Sequence, residues 1–527
     1  MKKTRSIPPG GLVLPGLFLL VITAMCCGCQ ERLPDGVSGS VSDGVSEERT
    51  AAAIFPDYRE VTIPVNIAPL NFEIEEEGTA FLTEIAGDSG EKRVIAGKTV
   101  EIPIKFWKRL LEANQNGTIR FTVYAKRDGA WRRFAPITNS VSSDRIDPWL
   151  TYRKIEPGYD RYGHIQMEER CLEDFRAKTF FDNTSLVPQE QIGKSCANCH
   201  HCRANDPNYS LFHVRHRYGG TMLRFGGKLK KIDTVSRSGF AMSYPSWHPT
   251  LPLIAYSSNN TRQFFHSFDL KKIEVLDDFS DLMLYDIEHQ RIIPIFETED
   301  IYETFPAWRN DGLELYYCVA KLRTSENRAG LSRKDAAEAR LEEMGERSRE
   351  IRYSMMKMSF DPRTYRFGEP EVVFDADAAN ASFVHPRFST DGRYLIYIKL
   401  DYGTFPLTHR ESDLWLLDLT TGETRPMSEA NSDNAESFHS FSSNGRWMVF
   451  SSRRGNGQFT RTYFTHFAAD GTCTKAFLLP TKTPEVERAD RFSQNLPEMM
   501  TGPLPETGGA MSRKIRFLTA EKSAMSD

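Results

Sequence analysis

Three cysteines and two histidines lie within eight consecutive residues, Ser195 to Cys202, which read SCANCHHC. Cys196, Cys199 and His200 form a C-x-x-C-H run, the attachment signature of c-type haem. Two thiols at this spacing add across the two vinyl groups of one porphyrin, and the following histidine supplies an axial nitrogen to the iron. The run therefore predicts a covalent haem c held by these three residues, with His200 as the proximal ligand.

The same residues permit other interpretations. Cys196, Cys199, Cys202 and one histidine are a possible zinc set. Alternatively, two of the thiols form a disulfide, or the run is a relic without a cofactor. Cys171 and Cys202 are also a possible disulfide, which would leave the other two thiols for haem. If haem is bound, His213 or Met222 is the candidate sixth ligand. The pair of packed helices that frames a class I cytochrome c is not evident around the run.

The first 28 residues are typical of a targeting segment: a basic start, KKTR, precedes an apolar run over residues 11–25. The pair Gly28-Cys29 at the end of this segment resembles the lipobox of bacterial lipoproteins, in which the cysteine becomes the acylated N-terminus. The resemblance implies a lipid on Cys29 and a place in the cell envelope, anchored to the outer membrane on its periplasmic or surface face. An ordinary secretory signal or a short anchor helix is the alternative. Residues 29–56 are rich in Gly, Ser and acidic residues and predict a flexible tether.

Length and composition indicate a soluble protein of two to four domains, because 527 residues exceed one core and hydrophobic and charged contents are 40% and 26%. A net charge of −4 without a basic block excludes nucleic acid as an expected partner. Residues 57–145 contain short alternating strands, a helix near 106–113 and turn signals, and predict a β-sandwich-like domain. Residues 146–239, which carry the cysteine run, predict a short irregular or helical connector.

A repeated segment begins near residue 240. The four copies read YPSWHPTLPLIAYSS from Tyr244, FPAWRNDGLELYY from Phe305, HPRFSTDGRYLIY from His385 and FHSFSSNGRWMVFSS from Phe438. Each has an aromatic start, a polar turn and an alternating apolar strand. Such a unit is a small antiparallel sheet that must pack against neighbouring copies to bury both faces.

These copies resemble the WD-like repeats of TolB-type β-propellers, whose units read F-P-x-W-S-P-D-G-x-x-I-A-F-x-S. The resemblance covers about residues 240–480 and implies a propeller over 240–527, with six blades expected. Residues 205–240 and the region past Tyr463 would supply the blades that the four copies lack. The predicted fold is therefore mainly β, and a polar insertion over 332–350 predicts a surface helix.

The whole arrangement also resembles a group of bacterial lipoproteins labelled TolB-like or cytochrome-c-biosynthesis-like. These combine an N-terminal β region, a C-x-x-C-H segment followed by a phrase like F-H-V-R-x-x-x-G-G-T, and a propeller. Phe212 to Arg215 and Gly219 to Thr221 match that phrase, whereas Cys171 and Cys202 are atypical for the group.

Two functional hypotheses follow from the sequence. The first is an envelope lipoprotein that binds a protein or extracellular ligand through its propeller and carries haem c for electron relay. The second is a scaffold without haem, in which a disulfide staples the connector. The chain has no G-x-S-x-G, H-E-x-x-H or phosphate-loop motif, so we assign no catalytic residues, and an enzyme at the propeller mouth is the least favoured reading.

Overall fold

The computed structural model describes residues 45–156, 164–187, 195–265, 273–298, 301–321, 332–506 and 508–526. The predicted targeting segment and Cys29 lie outside these residues. Strands predominate over helices in the part of the chain that is described. None of its helices has the length and apolar character needed to cross a bilayer.

The N-terminal unit consists of two sheets and one helix. Its elements are β1 (Val45–Ala51), β2 (Ile54–Phe55), β3 (Thr62–Pro64), β4 (Phe72–Ile74), β5 (Ala80–Gly87), β6 (Lys92–Ala96), β7 (Thr99–Val100), α1 (Ile104–Ala113), β8 (Thr118–Arg127), β9 (Ala130–Ala135) and β10 (Ile137–Ser142). Strands β2, β4 and β7 form the smaller sheet, and the other seven form the larger one. Phe72 of the small sheet meets Phe121 of the large sheet at 5.4 Å between ring centroids, and Trp107 of α1 packs on the same ring. The unit is therefore the expected sandwich-like domain with one shared core. It begins before residue 57, because residues 45–55 of the predicted tether supply β1 and β2, which pair with β9 and β4.

The remaining strands follow in chain order. They are β11 (Trp149–Ile155), β12 (Ile165–Cys171), β13 (Ala177–Asp182), β14 (Ser195–Cys202), β15 (Ser210–His216), β16 (Gly220–Phe225), β17 (Lys228–Ile232), β18 (Met242–Trp247), β19 (Leu253–Phe265), β20 (Ile273–Asp286), β21 (Arg291–Pro294), β22 (Ile301–Trp308), β23 (Glu314–Lys321), β24 (Ser354–Asp361), β25 (Arg366–Phe367), β26 (Glu371–Phe374), β27 (Ser382–Phe388), β28 (Tyr394–Leu400), β29 (Asp413–Asp418), β30 (Thr424–Pro426), β31 (Glu436–Phe441), β32 (Trp447–Ser452), β33 (Arg461–His466), β34 (Phe477–Leu478), β35 (Ser493–Met500) and β36 (Ala524–Met525). The helices among them are α2 (Arg333–Glu346), α3 (Ala376–Ala379), α4 (Pro484–Ala489) and α5 (Gly508–Phe517).

These strands form six sheets, which we number as blades. Blade 1 is β35-β11-β12-β13, blade 2 is β14 to β17, blade 3 is β18 to β21 with β36, blade 4 is β22 to β26, blade 5 is β27 to β30, and blade 6 is β31 to β34. The first strand of each blade contacts the first strand of the next, and β35 contacts both β31 and β14. The six inner strands therefore close a ring, which makes the arrangement a six-bladed β-propeller.

Strand β35 closes this ring. It comes from the C-terminal part of the chain and pairs antiparallel with β11, so that Leu150 lies opposite Met499 and Ile155 opposite Ser493. The first and last segments of the propeller thus share one sheet, and the backbone hydrogen bonds of an otherwise open edge are satisfied.

The structure differs from the sequence-based expectation over residues 146–239. This segment forms β11 to β13 of blade 1 and the whole of blade 2 rather than an irregular connector. Residues 167–176 within it are the end of strand β12 and the turn after it rather than helical, because residues 165–171 alternate between buried and half-buried positions. Residues past Tyr463 complete blade 6, and blade 1 supplies the sixth sheet.

The predicted surface helix is α2, which begins after the N-cap residue Ser332, whose hydroxyl accepts a hydrogen bond from the Asp335 backbone. It is not a free protrusion. Met344 is buried, and Arg340 donates a hydrogen bond to the Tyr302 hydroxyl of blade 4 at 3.0 Å.

The N-terminal unit shares its core with blade 6. Trp447 of β32 is fully buried in the same apolar cluster as Trp107 and Phe121, and its indole N–H donates to the Asp144 carbonyl at 2.9 Å. Asp144 also lies 2.8 Å from His466 of β33. The two parts therefore pack as one body along this contact.

Replacing Trp447 tests this shared core. Trp447→Ala removes a fully buried indole, and we expect it to lower the free energy of unfolding by about 3–5 kcal/mol. Trp415→Ala is the matched control, because that indole is only half-buried and covered by Lys399; we expect a loss of about 1 kcal/mol. Chemical denaturation followed by circular dichroism measures both. Equal denaturation midpoints for the two variants would show that the units do not depend on this contact.

Candidate functional site

Each of the six inner strands contains a four-residue segment at an equivalent place. We call this segment the tetrad and number its positions 1 to 4. The six tetrads are Cys199-His200-His201-Cys202, Tyr244-Pro245-Ser246-Trp247, Phe305-Pro306-Ala307-Trp308, His385-Pro386-Arg387-Phe388, Phe438-His439-Ser440-Phe441 and Leu496-Pro497-Glu498-Met499. Position 1 has a left-handed backbone in all six, with φ between 46° and 57°. In blades 2 to 6 the pairing with the second strand shifts at this point, which identifies the tetrad as a β-bulge.

The position 1 side chains meet at the propeller axis and form its waist. Phe305 lies 3.9 Å from His385 and 4.3 Å from Tyr244, measured between ring centroids, and Phe438 lies 4.9 Å from His385. Only about 50 Å³ of open space is left among them. The waist therefore separates two larger cavities, lined by opposite halves of the same inner strands.

Three of the six position 3 residues are large and polar, whereas Ser246, Ala307 and Ser440 are small. The Nδ1 atom of His201 lies 2.6 Å from Oε1 of Glu498 on the neighbouring blade. Nη1 of Arg387 lies 3.3 Å from Nε2 of His201, although blade 5 is opposite blade 2 across the axis. These three side chains form a polar bridge across the floor of the cavity beyond the waist.

The charges of this bridge are stabilised within it. Burial alone would raise the pKa of Glu498, but His201, followed by His200 and Arg387, holds that pKa below its ordinary value. Its second oxygen accepts the backbone N–H of Cys202 at 3.0 Å. Burial lowers the pKa of Arg387, yet a guanidinium stays protonated. The floor therefore carries an ionised carboxylate and a guanidinium joined through one imidazole.

The polar bridge is the floor of a cavity of about 390 Å³, which we call the front mouth. Its wall includes the position 4 residues Trp247, Trp308, Phe388, Phe441 and Met499. Volume, an aromatic wall and a few convergent polar groups are the usual properties of a small-molecule site.

The predicted haem residues do not fit a porphyrin in this arrangement. Cys196 lies on the regular part of strand β14, whereas Cys199 is the left-handed residue of its bulge, so the two thiols are not presented by one helical turn. Both thiols line a cavity behind the waist, and Cys199 also lines the waist together with His200. His200 is 6% exposed and takes position 2, which is proline in four tetrads. A void of about 50 Å³ beside it cannot admit a macrocycle, since even drug-sized ligands need about 300 Å³.

The candidate sixth ligands lie on β15 and β16, and Met222 lines a void of only about 30 Å³ together with His200. His213 is on β15, where its Nδ1 lies 3.0 Å from the Thr221 hydroxyl, and burial lowers its pKa to about 3. Met222 on β16 is fully buried in an apolar cluster with Phe181 and Phe212. Both side chains are explained by packing, His213 within blade 2 and Met222 between blades 1 and 2.

The six cysteines in the described part of the chain are free thiols, so the possible disulfide between Cys171 and Cys202 is not present. Cys171 lies on β12 next to Arg176, whereas Cys202 ends the inner strand of the next blade. Burial raises the pKa of both thiols. No group of three metal-ligating side chains occurs among the described residues.

Comparison with known proteins shows a distant similarity of fold only. No protein-family model matches the chain, and no curated protein is significantly similar to it. Tricorn protease is 13% identical over 67% of this chain and 32% of that protein, with a TM-score of 0.31. Prolyl oligopeptidase B from Galerina marginata is 11% identical over 63% and 44%, with a TM-score of 0.33. Luciferin-regenerating enzyme is 9% identical over 62% and 94%, with a TM-score of 0.34. The chain thus spans less than half of the first two proteins, and similarity of this degree carries no information about activity.

Arg387, Glu498 and His201 were not among the site residues predicted from the sequence. The repeat did contain a signal for them. Each is a large polar residue at position 3 of its tetrad, where the other three tetrads have a small residue. The tetrads at Cys199 and Leu496 escaped detection since neither starts with an aromatic residue and Asp-Gly or Asn-Gly does not follow.

The geometry of blade 2 predicts that the chain carries no covalent haem. Full-length protein produced together with a c-type cytochrome maturation system should be colourless and give no haem stain after denaturing electrophoresis. The double variant Cys196→Ser/Cys199→Ser is the matched control and should look identical. A wild-type protein that stays red, beside a colourless double variant, would establish haem attachment and require blade 2 to rearrange.

Proposed function

We propose that this protein is a binding protein of the cell envelope that takes a small organic anion into the front mouth of its propeller. The proposal rests on the position of Arg387 and on its unused hydrogen-bond donors. Its guanidinium is half-buried and lies at the floor of the 390 Å³ cavity, and His201 is its one hydrogen-bonding partner among the described residues. A guanidinium has five N–H donors, so most of them are left for a ligand.

The chemistry of the floor favours a carboxylate. Planar guanidinium groups pair with carboxylates through two parallel hydrogen bonds, and such charge-assisted bonds are strong where water is excluded. Glu498 holds His201 in place on the side away from Arg387, so the imidazole braces the guanidinium rather than competing for the ligand. The aromatic residues of position 4 would cover the apolar part of the ligand.

The haem remains a prediction from the sequence, whereas the arrangement of blade 2 favours the second hypothesis, a scaffold without haem. The ligand site at the front mouth is proposed in addition to that hypothesis. The stapling disulfide is not needed in that hypothesis, because strand pairing within blades 1 and 2 already holds the cysteine-containing segment. Docking of a partner protein on the propeller and attachment to the membrane through an N-terminal lipid belong to the same proposal.

Substitution of the predicted lipidated residue tests the envelope location. Cys29→Ser should move the protein from the membrane fraction to the soluble fraction and from the detergent phase to the aqueous phase, because a thioether-linked lipid can no longer form. Cys27→Ser is the control and should remain membrane-bound. Retention of the Cys29→Ser variant in the detergent phase would contradict lipidation at that residue.

Binding at the front mouth is tested by tryptophan fluorescence, because Trp247 and Trp308 line the cavity. Titration with benzoate and with succinate should give saturable changes, and Arg387→Ala should weaken the tighter of the two by about 10- to 100-fold through the loss of a charge-assisted hydrogen bond. Arg387→Lys should retain part of the affinity.

Two controls sharpen this experiment. Arg393→Ala removes an arginine that pairs with Asp418 outside the cavity and should bind as the wild type does. Methyl benzoate lacks the negative charge and should not bind. Equal affinity of wild type and Arg387→Ala, equal binding of the neutral ester, or no saturable binding of either carboxylate would overturn the proposal.

A further inference from the structure

A second cavity lies on the other side of the waist, and we call it the back cavity. Its volume is about 230 Å³. It is lined by residues that precede or begin the tetrads, by the long hairpin of β19 and β20, by one residue of β11, by two residues of β15 and by Phe405. The front mouth is lined by residues at or after tetrad position 3, so the two cavities are separate.

Arg153 of β11 is the unusual residue of this cavity. Its side chain lines the cavity although the residue is only 6% exposed. The Nε–H is fully buried without a hydrogen-bond partner, and no hydrogen bond or ion pair to the rest of the guanidinium occurs within the described ranges. An ionised group that is buried without a partner is destabilising by several kcal/mol, so proteins rarely retain one.

A second arginine faces the same space. Arg215 of β15 lies opposite Cys196 in the strand register and donates one hydrogen bond to the Ser243 hydroxyl at 2.7 Å. It is half-buried, and its remaining donors are available at the cavity wall. Two guanidinium groups therefore converge on one small volume.

The wall does not supply the missing negative charge. The described residues that line the cavity include no aspartate or glutamate. Asn259 and Asn260 line the cavity and donate hydrogen bonds to Asp277 and Asp278 at 3.2 and 3.0 Å, but these two aspartates are not among the lining residues. Burial raises the pKa of Cys196, which keeps that thiol neutral beside Arg153.

We infer that the back cavity is a second binding site, which takes a small oxyanion between the guanidinium groups of Arg153 and Arg215. The shared chemistry is a compact group with several acceptor oxygens, as in phosphate, sulfate or a carboxylate. A volume of about 230 Å³ admits a small anionic molecule and excludes a folded partner or a drug-sized ligand. This site is independent of the one proposed for the front mouth, because the waist separates them.

The test uses the full chain and three probes, sodium phosphate, sodium sulfate and sodium acetate, at constant ionic strength set with chloride. At least one of the three should raise the midpoint of thermal unfolding in a saturable way, since a ligand that binds only the folded state stabilises it by mass action. Calorimetric titration should give one site per chain. Arg215→Ala should weaken that binding by at least tenfold, whereas Arg217→Ala, an exposed neighbour, should bind normally.

Arg153→Met provides a second readout that a purely structural arginine would not give. Without added oxyanion, this variant should unfold at the same temperature as the wild type or higher, because an unpaired buried charge is replaced by an apolar side chain. With oxyanion, its midpoint should no longer rise. Arg387→Ala should leave the response unchanged, which distinguishes this site from the front mouth.

Three results would overturn the inference. One is the absence of a saturable shift with all three probes. Another is an unchanged affinity in both Arg153→Met and Arg215→Ala. The third is loss of the response in Arg387→Ala alone, which would assign the anion to the front mouth instead.

Discussion

The pairing of β35 with β11 is the constraint on which the rest of the structure depends. It places a strand from residues 493–500 inside a sheet whose other strands come from residues 149–182. A propeller without this pairing would have two open edges, and neighbouring blades would not be held around a common axis. The pairing also brings Glu498 next to His201, so closure of the ring and assembly of the front mouth are the same event.

The bulge at position 1 explains how one repeat provides both the packed waist and the polar bridge of the front mouth. A left-handed residue in each inner strand turns its side chain to the axis, where Tyr244, Phe305, His385 and Phe438 pack as a plug. Two positions further on, small residues leave space, and the few large polar ones approach each other across it. Packing at the waist thus provides the rigid base on which the polar bridge between Arg387 and Glu498 stands.

The cysteine run is part of an inner strand of the propeller. Cys199 and His200 hold the positions that Leu496 and Pro497 hold in the adjacent tetrad, and Cys196 precedes the bulge on the same strand. The spacing that suits a haem in a helical turn here belongs to an inner strand with a bulge at Cys199. A run of residue types alone therefore does not define a site, because the backbone conformation decides which side chains converge.

The mainly β class, the existence of a sandwich-like domain, the four aromatic tetrads and the helix inserted after Ser332 were readable from the sequence, because alternation, turn residues and capping are local patterns. Blade 1, the tetrads at Cys199 and Leu496, and the convergence of His201, Arg387 and Glu498 were not. These features depend on contacts between segments as many as about 350 residues apart, which form only when backbone hydrogen bonds close the ring. The unpartnered state of Arg153 likewise emerges only from burial, which is a property of the packed molecule and not of any stretch of chain.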